Sequence, residues 1–576
     1  MEVAASLRLH WPLALIAAVA FPLLSINLGT DYMWLDEGDT AVLASNILKF
    51  GAPKAWDGVN FFDSDMGARD NNALVMVSHP WLQYYVTAAS FALFGENNLA
   101  ARLPFALAGW LTIVVAYLAV CDMTRNRWAS FCSAALLTLS VQFLLFCRQC
   151  RYYSITMLLG ALLIWIFFRM KSGRMCALFT IAAILLFHAQ PFGIVLVVAI
   201  GVAALFYPGF SAQRRWVLIS APIVAAGTLP WIALAYRGYG ENSKVVHSSM
   251  QLLGRLIQYA IECASVTPLI GILALAIFCG GRALLLKRKH AASPEPVEEV
   301  MNQNELGLLL LGLVVFVLYD FAVGITESAD DLWHIGIRHT TAVIPISGMI
   351  AGVLIVKVSR GRAAIWLALL LLAAFTKFAE LTPWIFWGHK VTTFDGREVV
   401  EAHLPRNLSD RYLATRQQLM YVRDLWQENP GTAANICKFL LQHANPGDVL
   451  ITNYDWEPIY FYTHLPQALK ILPGYPIYKA ARDKGLPESV FGVDHVRWII
   501  WRPVWEGYVQ YHGEDLEKAV LAKSGHPEKV AEFEDTIWEN RPEIHLHRFS
   551  GNKYLFTAPE NIGRAQIFRV DWPDSQ

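Results

Sequence analysis

The 576-residue chain is poor in charged residues and has no excess of either sign. Asp, Glu, Lys and Arg make up only 16% of it, and 47 basic residues balance 47 acidic ones. Without a basic excess, the composition indicates no nucleic-acid partner. So few charges over this length also argue against a soluble multidomain protein. Hydrophobic residues make up 55% of the chain and the mean hydropathy is +0.37, which predicts an integral membrane protein.

Several common signatures are missing as well. The eight cysteines lie mostly in apolar runs and form no disulfide framework. Cys147 and Cys150 form a C-R-Q-C stretch, which we interpret as buried small residues rather than a redox pair. There is no second CxxC to complete a zinc site. The C-terminal part shows neither an internal repeat nor a glycine-rich phosphate loop.

Long apolar runs predict about eleven membrane spans, and at most thirteen. No cleavage site of the A-x-A type follows the first run, so we expect that run to be retained as a helix. The shorter run 80–95 is predicted to be an interfacial or re-entrant helix, with an additional span as the alternative. The eleven spans are predicted at 11–29, 103–121, 129–146, 152–169, 175–188, 190–207, 216–234, 266–286, 306–324, 340–357 and 363–380.

Basic residues set the predicted orientation, because they favour the inner side of a membrane. With the N-terminus inside, every inner turn is basic; Arg8, Arg125, Lys171, Arg214, Lys287 and Arg360 are examples. The outer side would then hold the loop 30–100, residues 147–151, the loops 235–265 and 325–339, and the tail. We expect a transmembrane domain over 1–380, with juxtamembrane helices in its first outer loop.

The polar tail, 381–576, is predicted to form a separate α/β domain on the outer face. Residues 411–427 and 433–444 have helical patterns. NPGDVLITN (445–453) is typical of a turn followed by a buried strand, and HVRWIIW (495–501) of a second strand.

The stretch MWLDEGDTAVLASNILKFG (33–51) places Asp36, Glu37 and Asp39 directly after the first span. Asp39 or Thr40 is predicted to cap a helix that lies on the membrane surface and ends at Gly51-Ala52-Pro53. Val42, Leu43, Ile47 and Leu48 would share its apolar face. Capping leaves Asp36 and Glu37 unexplained, and two readings stay open: they solvate the mouth of the first span, or they belong to a functional site.

Further polar residues are predicted on the same side. An outer arginine is either an anion ligand or the partner of Asp330, Asp331 or Glu262. His79 is either a phosphate ligand or a helix cap before Pro80. A divalent metal is left open, through Asp36, His79, His188 or His339, without diagnostic spacing. The group comprises His79, Arg148, Arg151, Tyr152, Tyr153, His188, Gln190, Arg338 and His339.

Several sequence motifs resemble those of a known superfamily. WLDEGDTAVLASNILKFG resembles the first-loop Asp-Glu motif of GT-C glycosyltransferases that use polyprenyl-phosphate sugars, among them the protein mannosyltransferases and the ArnT-like enzymes. HPWLQYYVTAASFALFGENNLAARLPFALAGWL resembles the continuation of that motif. Weaker similarities are CRQCRYYSITMLLGALLIWIF, FHAQPFGIVLVV and IRHTTAVIPISGMIAGVLI, so the resemblance covers about 30–360. One departure is that Val77-Ser78-His79-Pro80 stands where ArnT-like members have a Glu-Lys pair.

The resemblance implies an inverting transfer of a monosaccharide from a polyprenyl-phosphate donor to an outer-side acceptor. Asp36 corresponds to the catalytic Asp, and Glu37 would orient it, the acceptor or a metal. The acceptor stays open among protein, lipid A and envelope glycan. The donor phosphate would be bound by Arg151 and Arg338, with Arg148, Arg102 and His79 as further candidates. The substrate-binding residues would be Tyr152, Tyr153, His188, Gln190 and His339.

Three alternatives stay open. One is a glycan ligase or polymerase that uses a polyprenyl-diphosphate oligosaccharide. Another is a transporter of lipid-linked sugars, although the chain shows no repeat and Asp320 alone is a clear acidic residue deep in a predicted span. The last is a non-catalytic scaffold that presents the tail. Because the chain lacks the luminal insert domain of eukaryotic protein mannosyltransferases, we expect a bacterial inner-membrane protein.

Overall fold

The structure is a computed structural model. It describes residues 2–62, 71, 73–77, 79–239, 301–326, 336–339, 341–375, 415–426, 431–453, 456–466, 482–486, 491, 493–503, 513–535 and 563–573. The predicted span 266–286, the proposed arginine partners Glu262, Asp330 and Asp331, and the predicted domain boundary at 380/381 lie outside these residues.

The N-terminal two thirds of the described chain is helical. Its helices pack around one large apolar cluster that runs from Ile16 in the first helix to Leu370 in the last. In chain order they are α1 (Glu2–Ser25), α2 (Leu35–Phe50), α3 (Leu82–Phe94), α4 (Asn98–Thr124), α5 (Arg127–Leu139), α6 (Val141–Cys147), α7 (Tyr153–Phe168), α8 (Gly173–Ala189), α9 (Gly193–Phe206), α10 (Ser211–Tyr239), α11 (Gln303–Thr326), α12 (Val343–Val358) and α13 (Ala363–Phe375).

The helices support a multi-pass membrane protein without fixing the predicted count of eleven spans. Among the described residues, three helices are long and apolar enough to cross a membrane: Asn98–Thr124, Pro208–Leu234 and Gln303–Ala322. The predicted span 129–146 is not one straight helix, because α5 and α6 meet at Ser140 with a bend of 68°. Six shorter apolar helices accompany them: Trp11–Ser25, Tyr153–Phe168, Gly173–Ala189, Gly193–Phe206, Val343–Val358 and Ala363–Phe375.

Ion pairs join two of the basic turns to neighbouring helices. Arg169, after α7, pairs with Asp122 of α4 at 3.2 Å, and Lys357 of α12 pairs with Glu305 of α11 at 2.7 Å. Elsewhere, the ends of α1, α5 and α13 contact Arg148, which follows α6, and Gln418. We call this end of the helices the site face. That the basic turns and the site face lie on opposite sides of the membrane stays a prediction.

Two short helices follow α1 on the site face. The helix α2 begins at Leu35 with Trp34 as its N-cap, and no side chain caps it. The predicted cap by Asp39 or Thr40 is therefore wrong, since both residues lie inside the helix. Its end is as predicted, because Gly51 adopts φ +74°, a left-handed conformation that suits glycine. Residues 37–47 are buried against protein, so α2 does not simply lie on the membrane surface.

The C-terminal part is built on a mixed four-stranded sheet in the order β1-β2-β4-β3. The strands β1 and β2 are parallel, and β4 pairs antiparallel with both β2 and β3. One apolar cluster packs on each face, around Ile436 and Leu450 on one and Leu516 and Val520 on the other. The elements are α14 (Thr415–Asp424), α15 (Thr432–His443), β1 (Val449–Thr452), α16 (Trp456–Thr463), β2 (Val496–Trp501), α17 (Gly513–Ala522), β3 (His526–Asp535) and β4 (Gly563–Asp571).

The two predicted helices and the two predicted strands of the tail are thus confirmed, as α14, α15, β1 and β2. The short helix α16, which begins four residues after β1 ends, was not predicted. It packs against α2 and so connects the C-terminal part to the site face.

Candidate active site

The first turn of α2 sends neighbouring side chains in different directions, because each residue of an α-helix is rotated by about 100° from the one before it. Asp36, Asp39 and Thr40 are three and four positions apart and share one face. Glu37 lies on a second face. Gly38 lies on a third, where it meets the C-terminal part.

The face with Asp36 is held by Arg151, which follows α6. An Arg151 NH2 nitrogen lies 3.2 Å from Asp36 Oδ2, and its NH1 nitrogen lies 3.7 Å from Asp39 Oδ2. The same NH1 group donates to the Asp36 carbonyl at 3.1 Å and to Thr40 Oγ1 at 3.2 Å. The Arg151 side chain is buried, whereas the Asp36 side chain keeps 21% of its surface exposed. Asp36 is therefore oriented by a buried cation and still accessible.

The charge of Arg151 is stable in this position. Burial lowers the pKa of its guanidinium, but the Asp36 carboxylate raises it, and the pKa lies above its ordinary value. The guanidinium carbon also lies 5.4 Å from the centroid of the Tyr152 ring. Among the described residues, Arg151 Nε has no hydrogen-bond partner. Arg151 thus keeps one buried N–H that the protein contacts described here do not use.

Glu37 is placed differently, with no exposed surface. Arg102 of α4 binds it through two N–H groups, from Nε to Oε1 at 2.8 Å and from NH2 to Oε2 at 2.7 Å. The Cys150 backbone N–H also donates to Glu37 Oε1 at 2.8 Å. Both carboxylate oxygens are therefore engaged inside the protein, which favours a structural role over a direct one in chemistry.

Arg102 has no donor left for a phosphate. Its remaining N–H groups bind three carbonyls of the connection between α1 and α2: Leu28 at 3.1 Å, Asp31 at 2.8 Å and Tyr32 at 3.3 Å. With Glu37, these contacts account for all five guanidinium N–H groups. This geometry argues against the predicted contact between Arg102 and the donor phosphate. Arg102 instead stabilises the connection between α1 and α2.

The segment 147–153 forms the centre of the site, because it contacts both helices of the first loop. Gln149 Oε1 accepts from Trp34 Nε1 at 2.6 Å, ahead of α2. The Tyr152 backbone N–H donates to Gln83 Oε1 of α3 at 3.1 Å. Burial raises the pKa of the Cys150 thiol to about 12, so it stays protonated. Cys147 and Cys150 are both free and buried, as expected for small residues inside the protein.

Arg148 faces away from Asp36. Its NH1 group donates to the carbonyls of Leu23 and Leu24, at 3.4 and 3.1 Å, near the end of α1. Tyr153 is fully buried between Phe146 and Tyr152, so its ring is not available to a substrate in this arrangement. Tyr152 is 5% exposed.

A second set of the predicted residues gathers around the connection between α8 and α9. Gln190 Nε2 donates to the Arg338 carbonyl at 3.0 Å, and the His339 ring lies 5.1 Å from Phe192. Gln190 also accepts from Thr341 at 3.4 Å. Although about 150 residues separate them in sequence, Arg338, His339 and Gln190 therefore lie together.

His188 and the segment that starts at His79 provide the link between the two sets. The His188 ring lies 5.0 Å from the ring of Trp81, two residues before Gln83, and His188 Nε2 lies 3.0 Å from the Gly227 carbonyl. His79 is half-buried just ahead of Trp81. Within the part of the chain that the structure describes, no three His, Cys, Asp or Glu side chains are grouped to hold a metal ion.

Sequence reasoning missed Asp39, Thr40 and Gln83 as parts of this site. The spacing 36, 39, 40 was a usable signal, because one arginine can reach three such side chains on one helical face. Gln83 had no signal, since it contacts a backbone group 69 positions away.

Comparisons with known proteins bear on the fold. Residues 78–234 match a family model described as dolichyl-phosphate-mannose-protein mannosyltransferase. ArnT from Cupriavidus metallidurans bound to undecaprenyl phosphate superimposes with a TM-score of 0.51 at 13% identity, over 96% of this chain and 97% of that one. The chain has the GT-C fold. The structural match confirms the fold that the sequence resemblance implied. The segment matched by the family model contains Arg102, Arg148, Arg151, His188 and Gln190.

Two further structures resemble this GT-C chain. The apo form of the same ArnT gives a TM-score of 0.49 at 13% identity, with 98% of each chain covered. The Archaeoglobus fulgidus oligosaccharyltransferase, in complex with Zn and sulfate, gives 0.42 at 14% identity, over 88% of this chain and 70% of that one. No curated protein sequence gives a significant match.

Proposed function

We propose that the protein transfers a monosaccharide from a polyprenyl-phosphate donor to an acceptor on the site face of the membrane. The acceptor oxygen would attack the anomeric carbon of the sugar as the bond from that carbon to the phosphate oxygen breaks. Asp36 would take the acceptor proton, and polyprenyl phosphate would leave with inversion at the anomeric carbon.

The contrast between Asp36 and Glu37 carries this proposal. Both are acidic residues of one helical turn, but the Asp36 side chain keeps 21% of its surface exposed while Glu37 keeps none, and a buried cation orients Asp36. An ionised, oriented and accessible carboxylate is what a general base requires. Glu37 is assigned to positioning, because Arg102 and Cys150 occupy both of its oxygens.

The donor phosphate would be bound by Arg151 and Arg338. Arg151 Nε is a buried donor without a hydrogen-bond partner among the described residues, and a buried guanidinium stabilises a leaving phosphate strongly. Gln190 and His339 lie beside Arg338 and would contact the donor there. His79, His188, Tyr152 and Arg148 stay weaker candidates, and Arg102 and Tyr153 are set aside because they are enclosed.

The donor class is supported by the similar proteins. The matching family model is described by a dolichyl-phosphate-linked mannose, and the ArnT crystal structure with the same fold contains undecaprenyl phosphate. Both lipids are polyprenyl phosphates. We extend this class, and neither particular lipid nor sugar, to the present chain. A bacterial inner membrane, with the site face and the C-terminal part outside, is the location that fits the charge pattern.

The deciding experiment compares source cells carrying wild type, Asp36→Asn or Asp494→Asn at matched expression. Asp494 is an exposed carboxylate in the C-terminal part and serves as the control. Envelope lipids, glycans and glycoproteins would be profiled by mass spectrometry. We expect only Asp36→Asn to remove one sugar from one acceptor, with a rise in a polyprenyl-phosphate sugar. Identical profiles in all three strains, with the protein present in the membrane, would refute the assignment.

The same cells separate the other candidate activities. A ligase or polymerase would accumulate a lipid-diphosphate oligosaccharide in place of a lipid-phosphate monosaccharide. A transporter would move lipid-linked sugar across vesicles with no transferred product, and a scaffold would tolerate the loss of Asp36, Arg151 and Arg338 together.

A further inference from the structure

The C-terminal part touches α2 at the residue next to the Asp36-Glu37 pair. A Cβ atom added to Gly38 would lie 2.5 Å from Pro458 Cδ and 2.6 Å from Pro458 Cγ and N, distances that non-bonded atoms do not adopt. Gly38 lies inside a helix, so its backbone conformation does not require glycine. Its role is to let α16 approach α2 closely.

A second contact lies four residues along α16. The Tyr462 hydroxyl accepts from the Met33 backbone N–H at 2.8 Å and donates to Asn98 Oδ1 at 2.7 Å. Asn98 Nδ2 in turn donates to the carbonyls of Gly29 and Asp31 at 3.2 and 3.1 Å. Burial raises the pKa of the Tyr462 phenol above its ordinary value, so the hydroxyl keeps its proton.

Ring contacts extend the same interface. The Tyr462 ring lies 4.3 Å from Tyr32, and Phe461 stacks on Phe91 of α3 with centroids 6.0 Å apart. Tyr460 lies 5.1 Å from Phe62 in the first loop. The helix α16 therefore contacts the entry to α2, the first turn of α2 and the helix α3.

The helix α16 is also rigidly built into the C-terminal sheet. Ile459 and Leu465 belong to the apolar cluster around Leu450 of β1, and the Leu450 N–H donates to the Pro466 carbonyl at 3.0 Å. A displacement of α16 would therefore require a displacement of the sheet.

We infer that α16 positions the catalytic carboxylate: Gly38 and Tyr462 lock the first turn of α2 to the C-terminal sheet and so fix Asp36 relative to the reacting carbon. The inference rests on the proposed function, in which Asp36 is the base. On this inference, the C-terminal part contributes to catalysis by positioning Asp36. A shift of about 1 Å in a catalytic group can reduce the rate on the order of 100-fold, so a small displacement of α2 has a large effect.

The test uses purified full-length variants with lipid extract from the Asp36→Asn cells, in which the donor accumulates. Gly38→Ala pushes α2 away from Pro458, and Tyr462→Phe removes both hydroxyl contacts while keeping the ring. We expect kcat to fall about 10- to 100-fold in each, with the apparent donor KM within about threefold of wild type, since Arg151 and Arg338 are unchanged. Gly201→Ala in α9, where an added Cβ meets no atom within 4 Å, is the control and should keep the wild-type kcat.

The outcomes separate this inference from the proposed function. If Asp36→Asn is inactive but Gly38→Ala and Tyr462→Phe, measured as folded protein, keep the wild-type kcat, then α16 does not position Asp36. If the Asp36→Asn variant itself still transfers the sugar, both the proposed function and this inference are wrong. A lower melting temperature with kcat unchanged would mark the contact as one of stability only, and would also overturn the inference.

Discussion

Asp36 and Glu37 show how one helical turn gives two neighbouring acids different surroundings. The sequence named both as site candidates, and the structure brings Asp36 together with Arg151. Their catalytic roles stay predictions. The sequence could not assign each arginine to its carboxylate, because the partners come from 65 and 115 positions away, where α4 and the segment 147–153 meet α2.

At this scale we expect Arg102→Ala to unfold the protein more readily, because it leaves Glu37 as an uncompensated buried charge. The loss is expected to be about 3–5 kcal/mol. Thermal unfolding in detergent, followed by size-exclusion chromatography, would measure it. Arg102→Ala combined with Glu37→Leu should cost less than Arg102→Ala alone. If Arg102→Ala is as stable as wild type but inactive, a direct role for Arg102 in phosphate binding would return.

Among the elements, α14 carries an apolar surface that the described part of the chain leaves exposed. Leu419 is 71% exposed, and Trp426, in the turn after the helix, is 68% exposed. The opposite flank is held at the site face, where Tyr421 donates to the Leu23 carbonyl at 2.7 Å and Gln418 to the Ala374 carbonyl at 2.8 Å. Since α14 contacts the ends of α1 and α13, we expect its exposed flank to lie at the level of the lipid headgroups.

We therefore expect Leu419 to contact lipid. A cysteine at position 419, labelled with an environment-sensitive dye in nanodiscs, should be quenched by lipids that carry a nitroxide high on the acyl chain. Lys518 of α17, which is exposed elsewhere on the C-terminal part, serves as the control, and we expect weak quenching there. Equal quenching at both positions would contradict an interfacial placement of α14.

Element prediction from the sequence succeeded where apolar periodicity dominates and failed where tertiary contacts decide. The run 129–146 gave the correct helical residues but no sign of the bend, since Ser140 accepts from the Phe143 N–H and starts a new helix inside a continuous apolar run. Likewise, Asp39 has the chemistry of a cap. The helix starts earlier, at Leu35, and Asp36 and Glu37 lie in its first turn, where Arg151 and Arg102 pair with them.

For the whole molecule, the charge pattern predicts that the C-terminal part and the basic turns lie on opposite sides of the membrane. Cysteines introduced at the exposed positions Lys518 and Arg360 would test this in intact cells with a membrane-impermeant maleimide. We expect Lys518→Cys to react at once and Arg360→Cys only after permeabilisation. The wild-type chain provides the background. The opposite pattern would invert the topology and place Asp36 on the inner side.

The contact between α16 and α2 joins the earliest and latest parts of the chain, because Met33 and Tyr462 are 429 positions apart. At about 5–20 residues per second, the ribosome needs roughly 20–90 s to add the stretch that separates them. During that interval the carboxylate of Asp36 exists without the helix that holds it. If α16 positions Asp36 as we infer, we expect a nascent or prematurely terminated chain to be inert until its synthesis has passed Tyr462.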